Sequence, residues 1–190
     1  MIITNKYIAS LQPCKDRHDN YLKHYTGKSL SITKFFLSKH LSYSDKIWVW
    51  RRFTVKNDAI KFAIMCADSV QHIYNEKYPK DKTVSDLLIL LKSIDDFDNL
   101  DSGILNEIKE KRKAANAAAH AAAHAAATAA TYAAYVSADA ADAVAAVATA
   151  DAADAATYAA AAASYTGVGK VQEEKNIKFL IDIYKNKESI

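Results

Sequence analysis

From Ile104 to Thr166 the chain contains neither glycine nor proline, and more than half of residues 114–167 are alanine. No other stretch constrains the fold as strongly. Alanine is the best helix former and loses no side-chain rotamer freedom on folding. With nothing to break it, the tract reads as packed helix, not as disordered low complexity. A membrane span is excluded, because alanine is only weakly apolar and His120, His124, Asp139, Asp142, Asp151 and Asp154 fall inside. Such groups are expensive to bury in lipid.

The remaining residues of the tract are ordered. Asn116, His120, His124, Thr128, Thr131, Tyr135, Asp139 and Asp142 follow one another at steps of three or four, close to the period of an 11-residue helical repeat. A second stripe runs through Tyr132, Val136, Val147, Asp151, Asp154, Tyr158 and Tyr165. The opposite flank of the first half is bare alanine. Such a flank lets two helix backbones approach closer than the usual separation of about 8–10 Å, where dispersion contacts add up. A straight helix over 114–165 would reach about 78 Å, whereas a 190-residue domain has a radius of gyration of about 16 Å. The tract is therefore expected to break, first at Ser137–Asp139 and second at Thr149–Asp151, where a cap and a first-turn carboxylate are available.

Elsewhere, 4 Gly and 2 Pro in 190 residues are too few for the turns of a many-stranded β fold. The expectation is an all-α protein: a single helical domain over 1–190 whose long alanine-rich helices pack closely and antiparallel. Residues 1–100 supply mixed short helices, 101–166 the alanine-rich helices and 170–190 a C-terminal helix. Residues 5–12 are mildly amphipathic and stop at Pro13, and 26–29 read as a turn. Helical spacing is expected over 31–41 and over 42–53 with Ser44 as cap, and Ile47, Trp48 and Trp50 are core candidates. The clearest ordinary helix is 56–78, with Ile60, Ala63, Ile64, Ala67, Val70 and Tyr74 on one face and Pro79 after it. Thr83 or Ser85 can cap the next helix. Residues 95–103 read as an acidic loop, with Asp101 or Ser102 capping the long helix that begins there. In the last helix Val171, Ile177, Leu180, Ile181 and Tyr184 form the apolar stripe.

Charge is uneven. Residues 1–61 hold 12 Lys and Arg against 4 Asp, while 114–165 hold 4 Asp and no Lys or Arg. The front of the chain is suited to acidic partners. Cys14 and Cys66 form no paired motif, which fits free thiols in a reducing cytoplasm. The first twenty residues lack the charged and apolar regions of a signal peptide.

Candidate functional residues fall in two groups. Trp48, Trp50, Arg51 and Arg52 can stack on and pair with a nucleotide or an acidic partner. Along the tract, His120, His124, Tyr132, Tyr135, Asp139 and Asp142 form a polar and aromatic stripe. His120 and His124 stand one turn apart, a spacing that can place two imidazoles on one metal, but no Glu follows His120 as a zinc protease motif requires. Arg17-His18-Asp19 lacks the further ligands of a phosphohydrolase. Gly27-Lys28-Ser29 lacks the earlier glycine of a phosphate loop, since position 22 is leucine. Tyr165-Thr166-Gly167-x-Gly169-Lys170 lacks a preceding strand and reads as a helix end with Gly167 beyond the last turn.

Several of these pieces occur in a familiar order. Leu11-x-Pro13-Cys14-x-x-Arg17 is followed by Ser44-x-x-Ile47-Trp48, then Phe62 and Cys66-Ala67-Asp68-x-Val70. Tyr78-Pro79-x-Asp81-Lys82, the alanine tract and a closing Glu173-Glu174-Lys175-Asn176-x-x-x-Leu180 helix complete it. The chain resembles the Imm-5-like family of alanine-rich helical immunity proteins from phages and bacteria over nearly its whole length. It departs from relatives in carrying TVSDLL where they have a basic stretch. It also carries His, Thr and Tyr in the tract where they often have Arg and Trp.

The resemblance implies a helical protein of phage–bacterial conflict, working in the host cytoplasm, and it transfers no catalytic motif. The expectation is a non-enzymatic binding protein that needs no cofactor and no resident metal. It would sequester a toxin, a host defence protein or a signalling nucleotide such as a cyclic or ADP-ribose-type ligand. A metal-dependent phosphodiesterase built on His120, His124 and the aspartates is one alternative, and a virion component is another. No membrane and no specific DNA sequence is expected as partner. Self-association is open, because an alanine flank can pair with a copy of itself.

Overall fold

The first residues make a short two-stranded ribbon. Strand β1 (Ile2–Ile3) pairs antiparallel with β2 (Leu30–Ser31), Ile2 opposite Ser31 and Ile3 opposite Leu30. Between them lie α1 (Asn5–Ser10) and α2 (Lys15–Tyr25). Thr4 caps α1 by accepting from the Tyr7 amide at 3.1 Å. Beyond α1 the backbone turns at Gln12, whose φ of 54° is left-handed, just before Pro13. Gly27 takes a φ of 71° after α2, so 26–29 turn as expected.

The computed structural model describes residues 1–124, 135, 140, 158, 159, 161 and 169–188, and the side chains of all of these except 122–124 and 186–188. Among the described residues it is mostly helical, an all-α fold with the two-residue strands as its sole sheet. After β2 come α3 (Ile32–Phe36), α4 (Tyr43–Trp50), α5 (Lys56–Lys77), α6 (Thr83–Lys92), α7 (Ser102–His124) and α8 (Gly169–Glu188). The chain divides into two compact units, one formed by Met1–Phe53 with Lys175–Ile190 and the other by Thr54–Glu174.

The first unit is built on large side chains. Ile3, Ile8, Tyr21, Ile32, Phe35, Phe36, Ile47 and Trp50 are buried there. Tyr184 of α8 lies against the rings of Phe36 and Phe53, and its hydroxyl accepts from Trp50 Nε1 at 3.2 Å. The second unit mixes small and aliphatic side chains with a few buried rings, Phe62, Tyr74 and Phe97. Ala59, Ala63 and Ala67 of α5, Leu87, Leu88 and Leu91 of α6, and Ala115 and Ala119 of α7 are all buried.

Four sequence expectations need correction, each for a local reason. The helix expected over 31–41 stops at Phe36. Ser38, just beyond it, bonds the Tyr25 hydroxyl and accepts from the His40 amide, and such local bonds compete with helix. The cap of α4 is Ser42, not Ser44. Its Oγ accepts from the Asp45 amide at 3.1 Å and donates to Asp45 Oδ2 at 2.7 Å, a reciprocal pattern like that of a capping box.

Neither Thr83 nor Ser85 caps α6. Lys82 stands at the cap without a side-chain bond, and Asp81 before it accepts from the Thr83 amide at 2.9 Å and from the Tyr74 hydroxyl at 2.8 Å. The Tyr-Pro-x-Asp-Lys turn is thus a joint between α5 and α6. In α8 the buried face is rotated from the expected stripe: Val171 is 49% exposed, while Gln172, Asn176, Leu180 and Ile181 are buried. The two amides tolerate burial because each is bonded, Gln172 donating to Ser69 Oγ at 2.8 Å and Asn176 to the Tyr43 hydroxyl at 2.6 Å.

The acidic loop behaves as expected. Asp101 Oδ1 accepts from the Ile104 amide at 2.9 Å and starts α7, and Lys56 of α5 donates to the Phe97 carbonyl at 2.9 Å. The expected breaks at Ser137–Asp139 and Thr149–Asp151, and the helix end at Gly167, lie outside the described residues.

Candidate functional site

In the first unit, helical spacing brings two short rows together. Arg17 and Tyr21 stand one turn apart on α2; Trp48 and Val49 follow Asp45 by one turn on α4. The rows meet through an ion pair between Arg17 Nε and Asp45 Oδ1 at 3.2 Å. Beside it is a notch whose apolar walls are Ile8, Pro13, Phe35, Leu41 and Val49. About 20 Å³ of it is open to the centre of a water-sized sphere, room for a group of methyl size. Tyr21 also lines the notch and is 2% exposed, and its hydroxyl finds no hydrogen-bond partner among the described residues. Burial, with the nearby Tyr25, pushes that phenol above its usual range.

Trp48 is half-buried beside the notch, and the Arg52 guanidinium lies over its ring at 5.2 Å from the centroid. Sequence reasoning groups Trp48, Trp50, Arg51 and Arg52. The structure separates them: Trp50 is a core residue with 0% exposure, Arg51 is half-buried, and Trp48 with Arg52 forms the accessible pair. Arg17, Tyr21 and Asp45 are residues that sequence reasoning misses here. Their one-turn spacing on an otherwise polar α2 is the available signal for the first two.

In the second unit two residues of the tract's stripe meet. His120 is exposed near the end of α7, and Tyr135 meets it edge-on with ring centroids 6.0 Å apart and planes at 88°. The Tyr135 hydroxyl makes a long contact of 3.5 Å with His120 Nδ1. Tyr158, 37% exposed, continues the row at 6.2 Å from Tyr135. A straight helix would hold residues 120 and 135 about 22 Å apart, far more than the 6.0 Å between their rings. Tyr158 belongs to the second stripe of the sequence and joins the first only in space. Tyr132, Asp139 and Asp142 lie outside the described residues, and of His124 only the backbone is described. Among the described residues no three His, Cys, Asp or Glu side chains gather to hold a metal.

Two further polar clusters are not visible in the sequence. His24 and His40 stack with centroids 4.0 Å apart and planes 6° from parallel, with the His40 carbonyl accepting from Asn20 at 3.0 Å. Desolvation, the stacked His40 and the charges of Lys23 and Lys28 all push His24 below the usual imidazole range. At the α5–α6 joint, burial raises Asp81, but hydrogen bonds from Thr83 and Tyr74 outweigh it and hold the carboxyl low. Tyr74, desolvated and donating to that carboxylate, is pushed well up.

Cys66 is fully buried and its thiol is raised by desolvation, whereas Cys14 is exposed. No helix of the described residues is long and apolar enough to cross a membrane. Compared with protein-family models, curated proteins and solved structures, the chain matches none.

Proposed function

We propose that the chain is a non-enzymatic binding protein of phage–bacterial conflict, the setting that its resemblance to the Imm-5-like family implies. It sequesters a toxin or host defence protein stoichiometrically, in the host cytoplasm. The observation that carries this reading is the accessible Trp48–Arg52 stack beside the apolar notch of the first unit. Tryptophan and arginine dominate binding hot spots, where a desolvated anchor is ringed by weaker contacts.

The test is coexpression with candidate toxins and defence effectors. Growth rescue should saturate at equal amounts of the two proteins. The double variant Trp48→Ala/Arg52→Ala should weaken binding roughly 30-fold or more, as loss of a hot spot does. Rescue by substoichiometric protein, with a converted small molecule as product, would point to the phosphodiesterase instead.

A second reading is favoured by the row of His120, Tyr135 and Tyr158: a sponge for a signalling nucleotide, whose base stacks on these rings. Stacking of this kind contributes about 1–3 kcal/mol per base. Incubation with cyclic and ADP-ribose-type nucleotides, followed by heating, should then release the intact ligand. Absence of any thermal shift with those nucleotides removes this reading and leaves the first in place.

A further inference from the structure

We infer that the notch between α2 and α4 is an anchor pocket for an acidic peptide segment of the partner protein. One aliphatic side-chain tip enters the notch, and flanking carboxylates are held by Arg17 and Arg52. This rests on the protein-sequestration reading above and names the chemistry of its partner.

Three observations support it. The first is charge. The first unit carries 14 Lys and Arg against 5 Asp and Glu, a net of +9, while the second carries 11 against 17, a net of −6. The notch therefore sits on the strongly cationic unit, which draws acidic segments towards it. The second is the state of the two arginines. The Arg17 side chain is 45% exposed and pairs with Asp45 through Nε, and a guanidinium has five donors. Asp45 is already engaged by Arg17 and by the Ser42 hydroxyl. Arg52 is exposed, with its guanidinium 5.2 Å from the Trp48 ring centroid, and a guanidinium has donors to offer a carboxylate.

The third is the size and lining of the notch. Apart from the ion-paired Arg17 and Asp45, its walls are aliphatic or aromatic, and its free space admits a methyl-sized group. An aliphatic tip fits; a nucleobase is far too large. Nucleic acid, the other polyanion that a cationic face attracts, can offer only the thymine methyl to such a notch. Peptide recognition by such a face works through one apolar anchor for specificity and surrounding charges for speed and register.

The test uses the full chain and fluorescence anisotropy with four labelled probes. They are a Glu/Asp-rich peptide with one central Leu, the same peptide with Gly at the centre, a Lys-rich counterpart and single-stranded oligothymidine. The Leu peptide should bind roughly fourfold more tightly than the Gly peptide, the expected effect of burying about one methyl group. The Lys-rich peptide should not bind. Arg17→Ala and Arg52→Ala should weaken both acidic peptides and reduce their salt dependence. Val49→Ile adds one methyl group to the wall and leaves the charges alone. It should bring the Leu peptide down to the level of the Gly peptide without lowering Tm.

Equal binding of the Leu and Gly peptides overturns the proposal, and this comparison needs no variant to fold. So does oligothymidine binding more tightly than the Leu peptide, or a Leu preference that survives in folded Val49→Ile. If no acidic peptide binds while the chain still rescues growth in a Trp48-dependent way, the anchor pocket falls and the sequestration reading stands. If rescue is absent with every effector as well, both fall.

Discussion

The two units of this chain solve the same packing problem with different mixtures of side chains. The first, in Met1–Phe53 and Lys175–Ile190, holds 11 of the 19 aromatic residues and a single alanine. The second, Thr54–Glu174, holds 35 alanines. Large rings around Trp50 and Tyr184 fill the first core from short elements. In the second, buried alanines at 59, 63, 67, 115 and 119 bring helix backbones close, and aliphatic side chains with Phe62 and Tyr74 fill the rest. The first core should therefore be sensitive to lost bulk and the second to added bulk. Charge follows the same division, so the basic unit carries the face that suits an acidic partner.

The largest effect is expected where bulk is lost. Trp50→Ala removes a side chain with 0% exposure and its bond to Tyr184, and should cost about 3–5 kcal/mol in a denaturant titration. Next is added bulk in the other unit. Ala119→Leu inserts a side chain at a position of 0% exposure and should cost about 1–3 kcal/mol by overpacking. If Ala119→Leu is neutral or stabilising, the contrast between the units breaks. Asp101→Ala deletes the cap of α7 and should cost about 1 kcal/mol, seen as faster amide exchange in the first turn of that helix.

The smallest effect is a titration. The fold favours neutral His24, whose pKa is lowered from 6.5. Below that pH the unfolded chain binds more protons than the native one, so this contribution is intact above 6.5 and is lost as pH falls further. By NMR, His24 should titrate below 6.5 in the wild type and move up towards it in His40→Ala. No movement would mean the stacked ring is not among the causes.

Much of the architecture was legible because periodicity and punctuation agree. Residues 56–78 announce themselves through apolar steps of three and four ended by Pro79, and the observed helix is Lys56–Lys77. The all-α class followed from the scarcity of Gly and Pro. Helix α2 was not legible, because KDRHDNYLKHY has little apolar pattern and only Tyr21 is buried. The rotated face of α8 was hidden for a related reason. Gln172 and Asn176 read as surface residues until Ser69 and Tyr43 provide them with bonds.

In the candidate sites, Trp48 with Arg52 and His120 with Tyr135 stand out by residue type and spacing. Arg17, Tyr21 and Tyr158 do not, since each acquires its neighbours only through tertiary contact. Spacing along one helix can be counted in a sequence, whereas contact between residues 17 and 45, or 135 and 158, cannot.

The central claim is that the rings of His120 and Tyr135, distant in sequence, meet in space. An NMR experiment on the full chain, recording nuclear Overhauser contacts between the His120 imidazole and the Tyr135 ring, tests it most directly. Direct cross-peaks are predicted between these rings, whose centroids lie 6.0 Å apart. Absence of those peaks, with an unbroken ladder of helical contacts from 120 to 135, would place the two residues about 22 Å apart and contradict it.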